Sequence, residues 1–181
     1  MPPRLAGPSD PGLNRCPIEM NILTVRVGAE PRHPEHTDGM HQTPVYYYSS
    51  TSNLTRRFAE HLTENDGRPV RDLADAEVRQ SEADAPWVLL TPSYKAGNDD
   101  QVTLPAAVRA FLRSAVTRRN LVGIIGSGNR NFGRYYQAAA RELAELSGRP
   151  ILFEFELSGT PEDVTRCAEI LGELDRALAT G

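Results

Sequence analysis

Two continuous apolar runs, "PWVLLTP" from Pro86 to Pro92 and "LVGIIGSG" from Leu121 to Gly128, do most to limit what this chain can become. A strand with one wetted face alternates apolar and polar residues. A run that is apolar at nearly every position has both faces covered, as in a parallel sheet layered with helices. The surrounding segments alternate to match. "VYYY" is a short strand candidate, and "LTRRFAEHL" carries Leu54, Phe58, Ala59 and Leu62 at helical spacing. "RPVRDL" is a weak second strand. "LPAAVRAFLRSAV" reads as one helix with Pro105 in its first turn, and "RYYQAAARELAELSG" as a helix closed by Gly148. "PILFEFEL" is a fifth strand. "TPEDVTRCAEILGELDRAL" is a helix opened by Thr160 as cap, then Pro161, Glu162 and Asp163.

Five strands alternating with helices give an α/β chain with three α/β/α layers and a doubly wound, five-stranded parallel sheet. Residues 1–43 are rich in Pro, Gly, Asp and His, broken only by the apolar patch Ile22–Gly28, and read as a mostly disordered extension. Met20 and Met40 both offer later starts. An overall hydrophobic content of 39%, under the globular average, agrees with an unpacked part. Residues 44–181 form one domain, and the small flavodoxin-like arrangement suits its size. His33, His36 and His41 sit in "RHPEHTDGMH", where Pro and Gly supply no rigid scaffold, so they belong to a solvated tail and no metal site is expected.

A net charge of −4 removes the case for a nucleic-acid footprint or an anionic membrane surface. No run approaches the roughly 18 apolar residues of a membrane helix. The start "MPPRLAGPSDPGLNRCP" has neither the basic opening nor the apolar core of a signal peptide. Cys16 and Cys167 lie far apart and read as unpaired thiols of a reducing compartment, so a cytoplasmic protein is expected.

In doubly wound sheets, ligands sit beyond the carboxyl ends of the strands, where strand order reverses. Three polar loops leave those ends: 49–55, 92–103 and 126–133. The first, "SSTSNLT" (Ser49, Ser50, Thr51, Ser52, Asn53, Leu54, Thr55), has two readings. It is either a helix cap with surplus hydroxyls, or a cradle in which helix-start N–H groups and hydroxyls hold a phosphate. The third loop, "GSGNRNFG", is not a P-loop, because Arg134 and Tyr135 stand where Lys and Ser/Thr would follow. Nor is it a dinucleotide fingerprint, since Asn131 occupies the last glycine position. It is either a solvated glycine-rich turn or a backbone approach to a flat ligand with Asn129, Arg130, Asn131 and Phe132 at its edge. In the second loop, Tyr94 either stacks on a planar ligand or anchors the loop. No acid–base pair stands out, and His61 falls on the outer side of its helix.

Taken together, "VYYYSSTSNLTRRF", "TPSY", "GIIGSGNRNFG" and "PILFEFELSGTPEDV" make the chain from Pro44 onward resemble the NrdI family, the flavodoxin-like FMN proteins of class Ib ribonucleotide reductase systems. The resemblance implies FMN as cofactor, with its phosphate on Ser49, Ser50, Ser52, Asn53 and Thr55. The ring system would lie between Pro92, Ser93, Tyr94, Lys95, Ala96 and Gly97 on one side and Ser127, Gly128, Asn129, Arg130, Asn131, Phe132 and Gly133 on the other. It further implies a redox accessory, not a free-standing enzyme, serving the manganese-containing small subunit of class Ib reductase. Oxidant made from reduced flavin and dioxygen would generate the tyrosyl radical there, with a separate protein or reductase donating electrons. Two departures from the family pattern stand out. Leu54 replaces the usual Asn before Thr55, and Lys95-Ala96-Gly97 replaces a run of glycines, which bears on redox tuning. A flavodoxin-type electron carrier or FMN reductase for another partner, and an FMN-free interaction module, are the alternatives.

Overall fold

The computed structural model describes residues 41–93 and 104–181. Most of the expected N-terminal extension, with Cys16, His33 and His36, lies outside the described residues, as do Tyr94, Lys95, Ala96 and Gly97 of the second loop. The five expected strands form: β1 (Val45–Tyr47), β2 (Val70–Asp72), β3 (Trp87–Pro92), β4 (Leu121–Gly128) and β5 (Ile151–Glu156). They pair in parallel in the order β2-β1-β3-β4-β5. Order therefore reverses between β1 and β3, the switch point of a flavodoxin-like sheet. Register brings the strand ends together: Tyr47 pairs with Leu90, Pro92 with Ser127, and Ser127 with Phe155.

The helices are α1 (Leu54–Asp66), α2 (Ala76–Gln80), α3 (Ala106–Phe111), α4 (Ala115–Asn120), α5 (Ala138–Ser147) and α6 (Pro161–Ala179). Side chains alternate across the pleat and fill two separate cores. Val45, Tyr47, Val88, Leu90 and Ile125 pack with Phe58 and Leu62 of α1 and with Cys167 and Leu171 of α6. Tyr46, Trp87, Leu89 and Ile124 pack on the other face with Phe111 of α3 and Leu143 of α5. Each fully buried large apolar side chain contributes about 1.5–3 kcal/mol. The apolar runs that prompted the fold are thus covered twice, giving three layers. No helix among the described residues is long and apolar enough to cross a membrane.

Helix ends follow local chemistry. Thr160 and Asp163 form a reciprocal capping box: the Thr160 hydroxyl accepts from the Asp163 N–H at 3.1 Å, and the Asp163 carboxylate accepts from the Thr160 N–H at 2.8 Å. Gly148 closes α5 at φ 66°, its N–H donating to the Ala144 carbonyl.

Two expected helices need correction. "LPAAVRAFLRSAV" is not one helix: α3 stops at Phe111, and Ser114 starts α4 by accepting from the Thr117 N–H while donating to Glu82 at 2.6 Å. "RYYQAAARELAELSG" starts late, because Arg130–Tyr135 form 3₁₀ turns broken at Gly133, Tyr136 is extended, and Gln137 is left-handed at φ 58°. The short helix α2 was not expected; Asp75 caps it by accepting from the Glu77 N–H at 2.8 Å.

One charged network closes the amino-terminal end of the sheet. Buried Arg68 donates to Asp175 at 2.9 Å, to Asp66 at 3.1 Å and to the Thr43 carbonyl at 3.0 Å. The Thr43 N–H donates to Asp175 at 2.8 Å. Burial alone would raise the Asp175 pKa, but these hydrogen bonds and the Arg68 charge outweigh it and hold the carboxyl below its ordinary value.

Candidate functional site

The chain leaves β1 through Tyr48, whose N–H still donates to the Leu90 carbonyl at 3.2 Å. Of the hydroxyls that follow, Ser49 does the capping: it accepts from the Arg56 N–H at 3.2 Å in the first turn of α1. Asn53, at the cap position, is left-handed (φ 56°) and makes no side-chain cap bond. Its N–H donates to the Ser50 carbonyl at 3.0 Å and closes a turn over Thr51 and Ser52. The hydroxyls of Ser50 and Ser52 meet at 2.9 Å. Among the described residues, no partner is found for the N–H groups of Thr51, Ser52 and Leu54. Unpaired donors at the positive end of a helix are what an anion requires.

Arg56 does not supply a loose cation to this loop. Its guanidinium is engaged by Asp72 at 2.6 Å, which raises its pKa. At the base of the loop, burial and then the Asp72 charge raise the Tyr47 pKa and keep its phenol protonated.

Hydroxyls bind the first loop to the strand ends beside it. Thr55 and Ser127 lie 3.0 Å apart, both buried. The Ser93 N–H donates to the Ser127 carbonyl at 2.9 Å, and the Ser93 hydroxyl accepts from the Ala139 N–H at 3.0 Å in α5. A Cβ at Gly128 would sit tightly, 3.0 Å from the Tyr136 ring and 3.3 Å from the Gln137 backbone nitrogen. Beyond it, the Asn129 side chain accepts from the Asn131 N–H at 2.9 Å, and its carbonyl accepts from the Phe132 N–H at 2.9 Å. Arg130 turns outward to Glu156, 3.4 Å away.

These elements enclose a cavity of about 400 Å³ at the carboxyl ends of β1, β3 and β4, within the size range of small-ligand sites. Ser50, Ser52 and Thr55 line it from the first loop and the start of α1. Pro92, Ser93, Ser127, Gly128 and Asn129 line it at and just beyond the ends of β3 and β4, and Leu54 and Phe132 add apolar side chains. Ten of the residues singled out in the sequence are therefore brought together. Ser49, Thr51, Asn53, Arg130, Asn131 and Gly133 shape the loops without lining the cavity.

Leu157, just after β5, is a further wall that the loop reading missed. Its N–H donates to the Gly128 carbonyl at 2.8 Å, and its backbone is left-handed at φ 57°, rare for leucine. The only pointer to it in the sequence is the segment "FELSGTPEDV" itself. Among the described residues, no titratable side chain lines the cavity. The arrangement can hold an anion beside a flat, largely apolar body.

The family model described as NrdI flavodoxin like matches residues 45–169. A NrdI protein of Bartonella tribocorum is 42% identical over 120 residues, which cover 66% of this chain and 86% of that one. A NrdI protein of Shigella dysenteriae is 40% identical over 120 residues, 66% and 85% of the two chains. Among solved structures, a short-chain flavodoxin associated with a PDU bacterial microcompartment aligns at a TM-score of 0.48 and 18% identity, over 75% of this chain and 97% of that one.

Proposed function

The chain belongs to the NrdI flavodoxin-like family, and we propose that it is an FMN-binding redox protein that supports activation of the manganese-containing small subunit of class Ib ribonucleotide reductase. The observation that carries this reading is the cavity at the β1/β3 switch point, lined by the hydroxyl residues Ser50, Ser52, Thr55, Ser93 and Ser127 together with the apolar Leu54, Pro92, Phe132 and Leu157. FMN, when bound, supplies the electron transfer and dioxygen chemistry. The chain's own residues do the rest. Ser50, Ser52 and Thr55, with the N–H groups of Thr51, Ser52 and Leu54 that find no partner among the described residues, would hold the phosphate without a lysine. Such binding suits a phosphate that is held and not transferred. Phe132, Leu54 and Leu157 exclude water from the ring. Leu54 in place of asparagine is compatible with this, because the phosphate is gripped through main-chain donors. The chain works in the cytoplasm beside its reductase, with an electron donor protein or reductase upstream.

The test has two stages. Titration of purified protein with FMN under anaerobic reduction gives a bound flavin with its own absorbance and potentials. Oxygen consumption by the reduced protein then rises in a coupled way when manganese-loaded small subunit is added, and tyrosyl radical appears. Failure to bind FMN overturns the whole reading. Bound flavin with no effect on the small subunit leaves an electron carrier for another partner.

A further inference from the structure

A second, larger cavity of about 530 Å³ lies between α3, α4 and α5. It touches Leu121, the first residue of β4, whereas the flavin cavity touches the last. At about 3.3 Å per residue, the length of β4 separates the two by about 20 Å. The interior is leucine: Leu104, Leu112, Leu121 and Leu143. At its mouth stands Leu146, 77% exposed. A single exposed leucine is ordinary, but one continuous with a leucine-floored cavity extends an apolar surface into solvent.

The rim is basic. Arg109, Arg118 and Arg149 border it, with Glu142 the single acid. Arg118 donates to the Leu112 and Arg113 carbonyls at 2.7 and 2.8 Å, and Arg149 to the Arg119 carbonyl at 3.3 Å. Those contacts orient the guanidinium groups without neutralising them. Among the described residues, no carboxylate pairs with any of the three. This concentration of positive charge sits on a chain whose net charge is −4.

We propose that this cleft docks an acidic peptide segment of a partner protein, with large apolar side chains seated on the leucines and carboxylates against Arg109, Arg118 and Arg149. Guanidinium groups match carboxylates in geometry as well as charge, and apolar anchors in a groove with a charged rim are a recurrent mode of peptide recognition. A nucleic-acid strand would find no aromatic stacking surface among the described residues of this lining. A purely apolar ligand would leave the arginines unmatched. The site is independent of FMN, so loss of the flavin reading leaves it standing.

The experiment selects displayed random twelve-residue peptides on the full chain. The expected winners interleave Asp or Glu with Leu or Phe. A fluorescein-labelled winner binds in a salt-sensitive manner, and Arg109→Glu and Leu146→Asp each weaken it about tenfold or more, with thermal unfolding and FMN binding unchanged. Both positions are exposed and outside the flavin cavity. Winners without an acidic–apolar pattern, or binding indifferent to both substitutions, overturn the proposal. Concentration-dependent self-association that Leu146→Asp abolishes would also overturn it, in favour of a second copy as occupant.

Discussion

The hydroxyls of Thr55 and Ser127, 3.0 Å apart and shielded from solvent, join the start of α1 to the end of β4. Because each hydroxyl is the other's hydrogen-bond partner, removing one strands the other in a buried place. Leaving a buried hydroxyl unsatisfied costs about 1–3 kcal/mol. Ser127→Ala is therefore expected to lower the urea midpoint and to weaken FMN binding, since both loops of the cavity hang on this contact. The double variant Thr55→Val with Ser127→Ala should cost less than the sum of its singles, because the second change removes the stranded group. Strict additivity would show that the two hydroxyls are not coupled.

Ser49 and Ser52 sit three positions apart in the same hydroxyl cluster but in different roles. Ser49 accepts from the first turn of α1, while Ser52 faces the cavity. Ser49→Ala should cost about 1 kcal/mol of stability, the usual loss for a cap. Ser52→Ala should leave stability within about 0.5 kcal/mol, as for an exposed surface site, and reduce FMN affinity instead. Equilibrium unfolding and flavin-fluorescence titration on both variants separate the two roles. The reverse pattern would exchange the assignments.

At the opposite end of the sheet, Asp175 and Arg68 compensate one another in a buried site. Asp175→Ala leaves a buried guanidinium with only Asp66 as a charged partner, and removing one partner of a buried pair costs about 3–5 kcal/mol. The pH dependence follows from the lowered folded-state pKa. An unfolded Asp175 binds its proton near the ordinary 3.8, the native one only at lower pH. The contribution is thus fully present above the ordinary carboxylate value and is lost as pH falls through the folded one. Denaturant midpoints measured down through that window should fall for the natural chain. They should fall less for Asp175→Asn, which starts lower and has no carboxyl to titrate there.

Cys167 is fully buried between α6 and the sheet, and burial pushes its thiol pKa up to about 12. At neutral pH almost none of it is thiolate, the reactive form. In a Cys16→Ser background, a chromogenic disulfide reagent should therefore leave the native protein unlabelled and titrate one thiol per chain after denaturation. Rapid labelling without denaturant would mean that α6 opens readily.

How much of this could be read beforehand follows element type. β3 and β4 were legible because a strand buried on both faces has no alternation to hide, and α6 because Thr160, Pro161 and Asp163 spell out its start. The break between α3 and α4 was not, since Val108, Phe111, Leu112 and Val116 keep a helical rhythm across Ser114 and periodicity cannot see a cap in mid-pattern. The late start of α5 rests on the left-handed Gln137, a conformation glutamine rarely signals. In the first loop, composition marked the cluster, but only geometry shows that Ser49 caps the helix and Ser50 and Ser52 do not. Leu157 stayed hidden because a leucine after a strand reads as more strand.

That leucine offers the sharpest separation of stability from binding. A left-handed backbone at a non-glycine residue costs about 1–2 kcal/mol, and here it is held by the N–H bond to the Gly128 carbonyl. Glycine relieves that cost but adds freedom to the unfolded chain, so Leu157→Gly should move stability by no more than about 1 kcal/mol either way. Its loss as a wall should still reduce FMN affinity and expose the flavin to quenchers. Two residues on, Gly159 is also left-handed, at φ 68°, but a Cβ there would fall within 2.6 Å of the Phe58 ring, which stacks on Phe155 at 3.7 Å between centroids. Gly159→Ala has no such compensation and should destabilise by about 1–3 kcal/mol, the range for overpacking a core. Unfolding curves and flavin titrations on the pair decide the matter: equal stability losses at 157 and 159 would mean that the Leu157 side chain is part of the core and not a wall of the cavity.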